Sequence, residues 1–170
     1  MPLEWAFLRD PQNVGLQEQY YRRPVDLTYW KQHAKQYTPK TRKDYPTGHW
    51  EMVRTDLYLQ AQGIRHPDRQ SYTGYGWYHT EVVLSQREIE GNVHLMFPGL
   101  FNECWLYVNG EQVAHRSDYN PLWWYNDYRF QWDVDLTGKL KPGRNTIVLR
   151  IYNPHHYGGM FRRPFLYKAK

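Results

Sequence analysis

The chain has 170 residues, a formal net charge of +5 and one cysteine. That length suits one domain able to bury a core without covalent staples. Cys104 alone can form neither an internal disulfide nor a cysteine zinc site, and no apolar run approaches the roughly 20 residues of a membrane-spanning helix. The positive charge favours an acidic partner, whether nucleic acid, an anionic surface or an acidic polysaccharide, without choosing among them.

The start, MPLEWAFLRDPQ, lacks a basic region followed by an apolar one, so no secretory signal is read there. A secreted or periplasmic parent protein is expected, and if the protein is exported this chain is a piece of it. VDLTYWKQHAKQY (Val25–Tyr37) reads as a short helix of weak periodicity, and Thr38–Gly48 as an exposed basic loop. From Trp77 onward the pattern is β-rich. WYHTEVVL, NVHLMF, CWLYVNGEQVAH, FQWDVD, NTIVLRIYN and FRRPFLYK are short runs of β-branched and aromatic residues separated by turn signals. Asn109-Gly110 suits a type I′ hairpin turn. It places Cys104, Leu106 and Val108 on one face and Trp105 and Tyr107 on the other, with Cys104 a buried strand thiol. Ahead of the FQWDVD strand, Trp123, Trp124, Tyr125 and Tyr128 sit among loop-forming Asn, Asp and Pro. So much aromatic surface on a loop calls for a core to cover or a ligand to hold. In the strand itself Phe130, Trp132 and Val134 alternate with Gln131, Asp133 and Asp135. Lys141-Pro142-Gly143-Arg144 then reads as a type II turn.

WAFLRDPQNVGLQEQYY, YTGYGWYHTEVVL, LYVNGEQVAHRSDYNP, FQWDVDLTGKLKPGRNTIVLRIYN and GGMFRRPFLY follow one another in the order and spacing seen in the N-terminal sugar-binding domain of family 2 glycoside hydrolases. The chain resembles that domain over nearly its whole length. The resemblance implies a single all-β domain over residues 1–170, a jelly-roll β-sandwich with the galactose-binding-like fold, excised from or homologous to part of a larger glycoside-hydrolase-like protein. The strand pattern agrees. In that family the catalytic acid and nucleophile belong to a separate (β/α)₈ barrel, which 170 residues cannot also contain, so no enzymatic activity is expected of this chain. Asp133 and Asp135 share a strand face roughly 6.5–7 Å apart, a separation compatible with glycoside hydrolysis. Alternating polar residues are more often the solvated face of a strand, and the family carries a similar run there. No G-x-S-x-G elbow, phosphate-binding glycine loop or H-E-x-x-H is present.

The stretch after the hairpin is longer than its family counterpart by approximately LWWYND. Sugars present apolar C–H faces and a rim of hydroxyls, so an aromatic plane with a few donors and acceptors can bind them. The candidate carbohydrate-binding residues are Asp118, Asn120, Trp123, Trp124, Tyr125, Asn126, Tyr128 and Arg129, joined by His155, His156, Tyr157, Arg162 and Arg163 from NPHHYGGMFRRP. One Trp turned inward as a cap on the sandwich, and Asp118 capping an Asx-turn, are the structural alternatives. Asp118 also stands where some family members carry an acidic residue that reaches the partner barrel's active site. Gly158-Gly159 reads as a close-approach turn. Convergence of Arg129, Arg162 and Arg163 on the aromatic platform would select a carboxylate or sulfate, while pairing with Asp127 or Asp133 would leave no such preference. Adjacent histidines face opposite ways on a strand and make a poor metal pair. No cofactor is expected; a structural calcium, frequent in related jelly rolls, stays compatible because backbone carbonyls leave no sequence signature.

Three functions compete. The first is a carbohydrate-binding module for a polysaccharide or oligosaccharide. The second is a structural accessory domain packing against a catalytic domain of the same parent chain. A basic nucleic-acid binder is third, disfavoured because no RRM, KH or OB signature is visible and Lys and Arg are spread along the chain. No membrane partner is expected.

Overall fold

The computed structural model describes residues 1–68, 71–117, 130–155 and 157–170. In chain order these form β1 (Glu4–Asp10), α1 (Thr28–His33), β2 (Glu51–Arg54), β3 (Gly74–Leu84), α2 (Gln86–Ile89), β4 (Val93–Phe97) and β5 (Gly99–Leu100). There follow β6 (Glu103–Val108), β7 (Glu111–Arg116), β8 (Trp132–Asp135), β9 (Gly143–Asn153), β10 (Met160–Arg162) and β11 (Phe165–Lys168). Six strands in the order β2-β1-β3-β9-β6-β7 make one antiparallel sheet; β11-β4-β8 and β10-β5 make two smaller ones. The result is the all-β sandwich expected from the strand pattern.

Strand alternation builds the core. Phe7, Tyr78, Leu149 and Leu106 lie in one cross-strand row. They point inward with Cys104, Val108, Ile147 and Ile151 against Val93, Leu95, Phe97 and Val134 of the small sheet. The hairpin and its faces are as expected: Asn109 and Gly110 have φ of 52° and 84°, Cys104, Leu106 and Val108 enter this core, and Trp105 and Tyr107 point outward. Gly143 has the positive φ, 88°, that a type II turn requires at its third position.

A second apolar cluster lies on the outer face of the six-stranded sheet, where Leu8, Trp50, Trp77, Tyr107 and Val148 are covered by Tyr20, Tyr21, Val25 and Leu27. Tyr21 stacks on Tyr107 at 4.7 Å, and Tyr20 meets Trp77 edge-on at 5.9 Å. Asp10 anchors this covering segment, its carboxylate accepting from Val14 N–H (2.8 Å), Gly15 N–H (2.9 Å) and Trp77 Nε1–H (2.9 Å). A Cβ at Gly15 would lie 2.3 Å from Trp77 Nε1, so only glycine lets the backbone rest on the indole.

The segment Thr38–Gly48 differs from the exposed loop expected. Arg42 and Tyr45 are buried, and Glu51 holds two guanidiniums at once: Arg9 Nε at 3.0 Å and Arg42 Nε at 2.7 Å. Arg9 Nη2 also donates to Arg42 O at 2.8 Å, and Arg42 lies over Trp30 at 4.8 Å. Charges recruited into an ion network let a basic segment pack, which composition alone does not reveal. The outward side of β2 is also occupied. Gln62 Oε1 accepts from Arg54 N–H at 2.7 Å, Gln62 Nε2 donates to Arg54 O at 2.9 Å, and Arg42 Nη2 donates to Met52 O.

Candidate functional site

At one end of the sandwich β7 closes at Arg116, and the chain returns at Phe130 just before β8. The pairing of β5 with β10, Leu100 opposite Met160 and Gly99 opposite Arg162, brings two further loops to this end. Here five aromatic rings from four segments meet. Phe101 packs on Phe130 at 4.3 Å and on Phe161 at 4.9 Å; Tyr58 stacks on Phe161 at 4.8 Å; Tyr157 lies 5.3 Å from Tyr58. The first four are half-buried, whereas Tyr157 is 59% exposed and carries the ring surface outward.

Hydrogen bonds fix the loops beneath the rings. Arg116 Nη2 donates to Leu100 O (2.7 Å) and Asn102 O (2.8 Å), tying the end of β7 to the Phe101 loop. Asn102 Nδ2 donates to Asn153 Oδ1 (2.7 Å), and Asn153 Nδ2 to Tyr72 O (2.8 Å). Gly158-Gly159 is the close-approach turn expected. Phe101 N–H donates to Gly159 O at 3.2 Å, and Cβ atoms at these glycines would fall 2.3 Å from Asn153 Nδ2 and 2.1 Å from the Tyr78 hydroxyl.

Of the residues singled out from sequence, Asp118, Asn120, Trp123, Trp124, Tyr125, Asn126, Tyr128, Arg129 and His156 lie outside the described residues. Tyr157 joins the ring cluster, and Arg162, exposed, has its guanidinium carbon 5.8 Å from the Phe161 centroid. His155 is exposed. Arg163 turns to the chain start, donating from Nε to Met1 O at 2.8 Å. Tyr58, Phe101, Phe130 and Phe161 are additions. Period-two alternation placed Phe130 in the strand with Trp132 and Val134, yet β8 begins only at Trp132, and Phe130 packs on Phe101 and Phe161 instead.

Asp133 and Asp135 sit on the outer face of the small sheet. Asp133 Oδ2 accepts from the Tyr167 hydroxyl at 2.7 Å and lies 3.2 Å from His94 Nδ1. Asp135 accepts from Thr137 N–H at 2.8 Å, and hydrogen bonding to Thr137 holds its carboxyl below the usual range. Among the described residues no group of three or more His, Cys, Asp or Glu is arranged to hold a metal ion.

No protein-family model matches the sequence. A protein of Formosa agariphila assigned as a β-glucuronidase is 26% identical over 80 residues, which are 47% of this chain and 7% of that protein. Among solved structures, the β-glucuronidase of Ruminococcus gnavus superposes on 88% of this chain and 20% of its own, with a TM-score of 0.60 at 17% identity. Its complex with D-glucaro-d-lactam superposes on 96% of this chain and 27% of its own, with a TM-score of 0.67 at 15% identity. The chain thus spans about a quarter or less of these relatives, and its described residues form no (β/α)₈ barrel. It is an all-β sandwich whose fold matches part of these β-glucuronidases, in keeping with the resemblance to an N-terminal domain of family 2 glycoside hydrolases.

Proposed function

We propose that this chain is a non-catalytic carbohydrate-recognition domain of a larger family 2 glycoside hydrolase, meeting a polysaccharide or oligosaccharide at the loop end of the sandwich. The observation that carries the reading is the exposed Tyr157 ring, continuous with four packed rings, beside the strand ends from which residues 118–129 leave and return. Rings braced from behind lose little freedom when a sugar stacks on them. The test is retention on glycan affinity gels and binding to a glycan panel, with Tyr157→Ala as comparison. Saturable binding weakened by that change supports the reading, and absence of binding to every glycan ends it.

A second reading, an accessory domain packed on the catalytic barrel of the parent chain, draws on a different surface. A groove of about 610 Å³ runs past Val82, Val83, Val93, Phe165 and Leu166, and Val83 and Phe165 are 74% and 46% exposed. Apolar residues gathered in this way suit a protein contact. Val83→Lys with Phe165→Lys would then disrupt assembly with the barrel while leaving glycan retention unchanged.

A further inference from the structure

The outer face of the six-stranded sheet is only partly covered. Tyr75, Tyr152 and Glu103 form one cross-strand row there, and Trp77, Arg150, Trp105 and His115 the next. Tyr20 and Tyr21 cover Trp77, whereas Tyr75, Tyr152 and Trp105 remain partly open. Arg150 lies beneath these rings, 4% exposed, its guanidinium carbon 4.2 Å from the Trp105 centroid and 4.3 Å from that of Tyr75. Its Nη2 donates to Asn13 Oδ1 at 2.7 Å. Its Nε is buried without a hydrogen-bond partner, and no carboxylate among the described residues pairs with it.

Ring faces offset part of the cost of burying this cation, yet an unsatisfied buried N–H is the kind of exception that asks for an outside partner. The acids nearby are engaged. Glu103 is 2.8 Å from His115 Nε2, and both Asp10 oxygens accept from Val14, Gly15 and Trp77. Burial lowers the Arg150 pKa, consistent with a charge that its surroundings compensate incompletely.

We propose that this face binds a saccharide bearing an anionic substituent, a carboxylate or a sulfate, with its apolar ring face on Tyr152 and Trp105 and its anion directed at Arg150. The inference rests on the saccharide reading above but uses the outer sheet face rather than the Tyr157 cluster. The test is an NMR titration of the ¹⁵N-labelled chain with three oligosaccharides of equal length: a glucuronate oligomer, its carboxyl-reduced neutral form, and a sulfated form of the latter. The Trp105 indole and Arg150 Nε–H signals should move, and at least one anionic form should bind about tenfold more tightly than the neutral one, the factor one charge-assisted hydrogen bond supplies. Which anionic form binds identifies the substituent. Tyr152→Ser should weaken binding and Tyr152→Phe retain it, both without loss of fold by thermal melting, while Tyr157→Ala leaves these signals' response intact. Equal affinity for the neutral form overturns the proposal. So do shifts confined to the surroundings of Tyr157, although these leave the loop-end reading standing; no binding to any glycan removes both.

Discussion

Replacing Glu51 by Gln tests whether the buried ion network holds the basic segment Thr38–Gly48 in place. Arg9, Arg42 and Glu51 are all buried, and one carboxylate serves both guanidiniums at 3.0 and 2.7 Å. Arginine stays protonated under all ordinary conditions, so Glu51→Gln leaves two buried cations facing a neutral amide. Removing one partner of a buried pair costs about 3–5 kcal/mol. The sharing of one anion pushes the cost up. The carbonyls of Arg42, Lys43 and Met52, which also accept from these guanidiniums, pull it down. A loss of about 4 kcal/mol is expected. In urea, with a slope of about 2 kcal/mol/M for a domain of this size, the midpoint followed by tryptophan fluorescence should fall by about 2 M at constant slope. A second variant, Arg9→Met with Arg42→Leu and Glu51→Leu, removes every charge together and should recover most of the loss, since apolar replacements of buried ion networks are often neutral or stabilising. A midpoint shift for Glu51→Gln below about 0.5 M, or a triple variant as unstable as the single one, would refute the reasoning.

Gly159→Ala puts an L side chain at φ 79° with its Cβ 2.1 Å from the Tyr78 hydroxyl. Left-handed strain of about 1–2 kcal/mol plus overpacking of about 1–3 kcal/mol should lower the melting temperature by roughly 4–20 °C, and an unchanged melt would contradict the close approach. Asp10→Ala leaves the N–H groups of Val14 and Gly15 and the Trp77 indole without their acceptor. Stability should fall by about 1–3 kcal/mol per orphaned group, and exchange of the Trp77 indole N–H should accelerate; protection equal to wild type counts against Asp10 as the anchor. Burial holds the His79 imidazole below its ordinary pKa, so the folded state prefers the neutral ring. This contribution is fully present above the unfolded value near about 6.5 and is lost as pH falls from there through the folded value. The slope of stability against pH should be steeper in wild type than in His79→Gln across that window, by at most about 1.4 kcal/mol per pH unit. Parallel urea midpoints for the two proteins would remove His79 from the account.

What could be read from sequence was what local geometry decides. Asn109-Gly110 and Pro142-Gly143 announce their turns because few residues tolerate positive φ, and Cys104, Leu106 and Val108 separate from Trp105 and Tyr107 because alternation has a period of two. Strand β1 gave no such signal, since Trp5 to Asp10 are buried on both faces and a doubly covered strand loses its alternation. The Ser85–Glu88 capping box of α2 was legible in principle, a Ser followed three residues later by Glu. The Arg9–Glu51–Arg42 network, the Tyr20 and Tyr21 cover, and the gathering of Tyr58, Phe101, Phe130 and Phe161 depend on contacts between segments far apart in the chain. No local pattern encodes them. Tyr157 was legible as a candidate from its neighbours in the sequence, but the rings bracing it were not, because Tyr58 and Phe101 lie far from it in the chain.

The side chains along β2 also bear on how this molecule meets its own copies. An edge strand normally offers unpaired N–H and C=O groups on which another chain can build a further strand, the first step toward fibrillar assembly. The Gln62 carboxamide occupies both backbone groups of Arg54 as a neighbouring strand would, and Arg42 closes Met52 O. At the opposite edge β7 carries Glu111, His115 and Arg116, beside a register shift at Leu106 and Tyr107. An aromatic-rich chain of this kind can therefore keep rings exposed without the β2 edge of its large sheet inviting polymerisation, and Gln62→Leu would reopen that route.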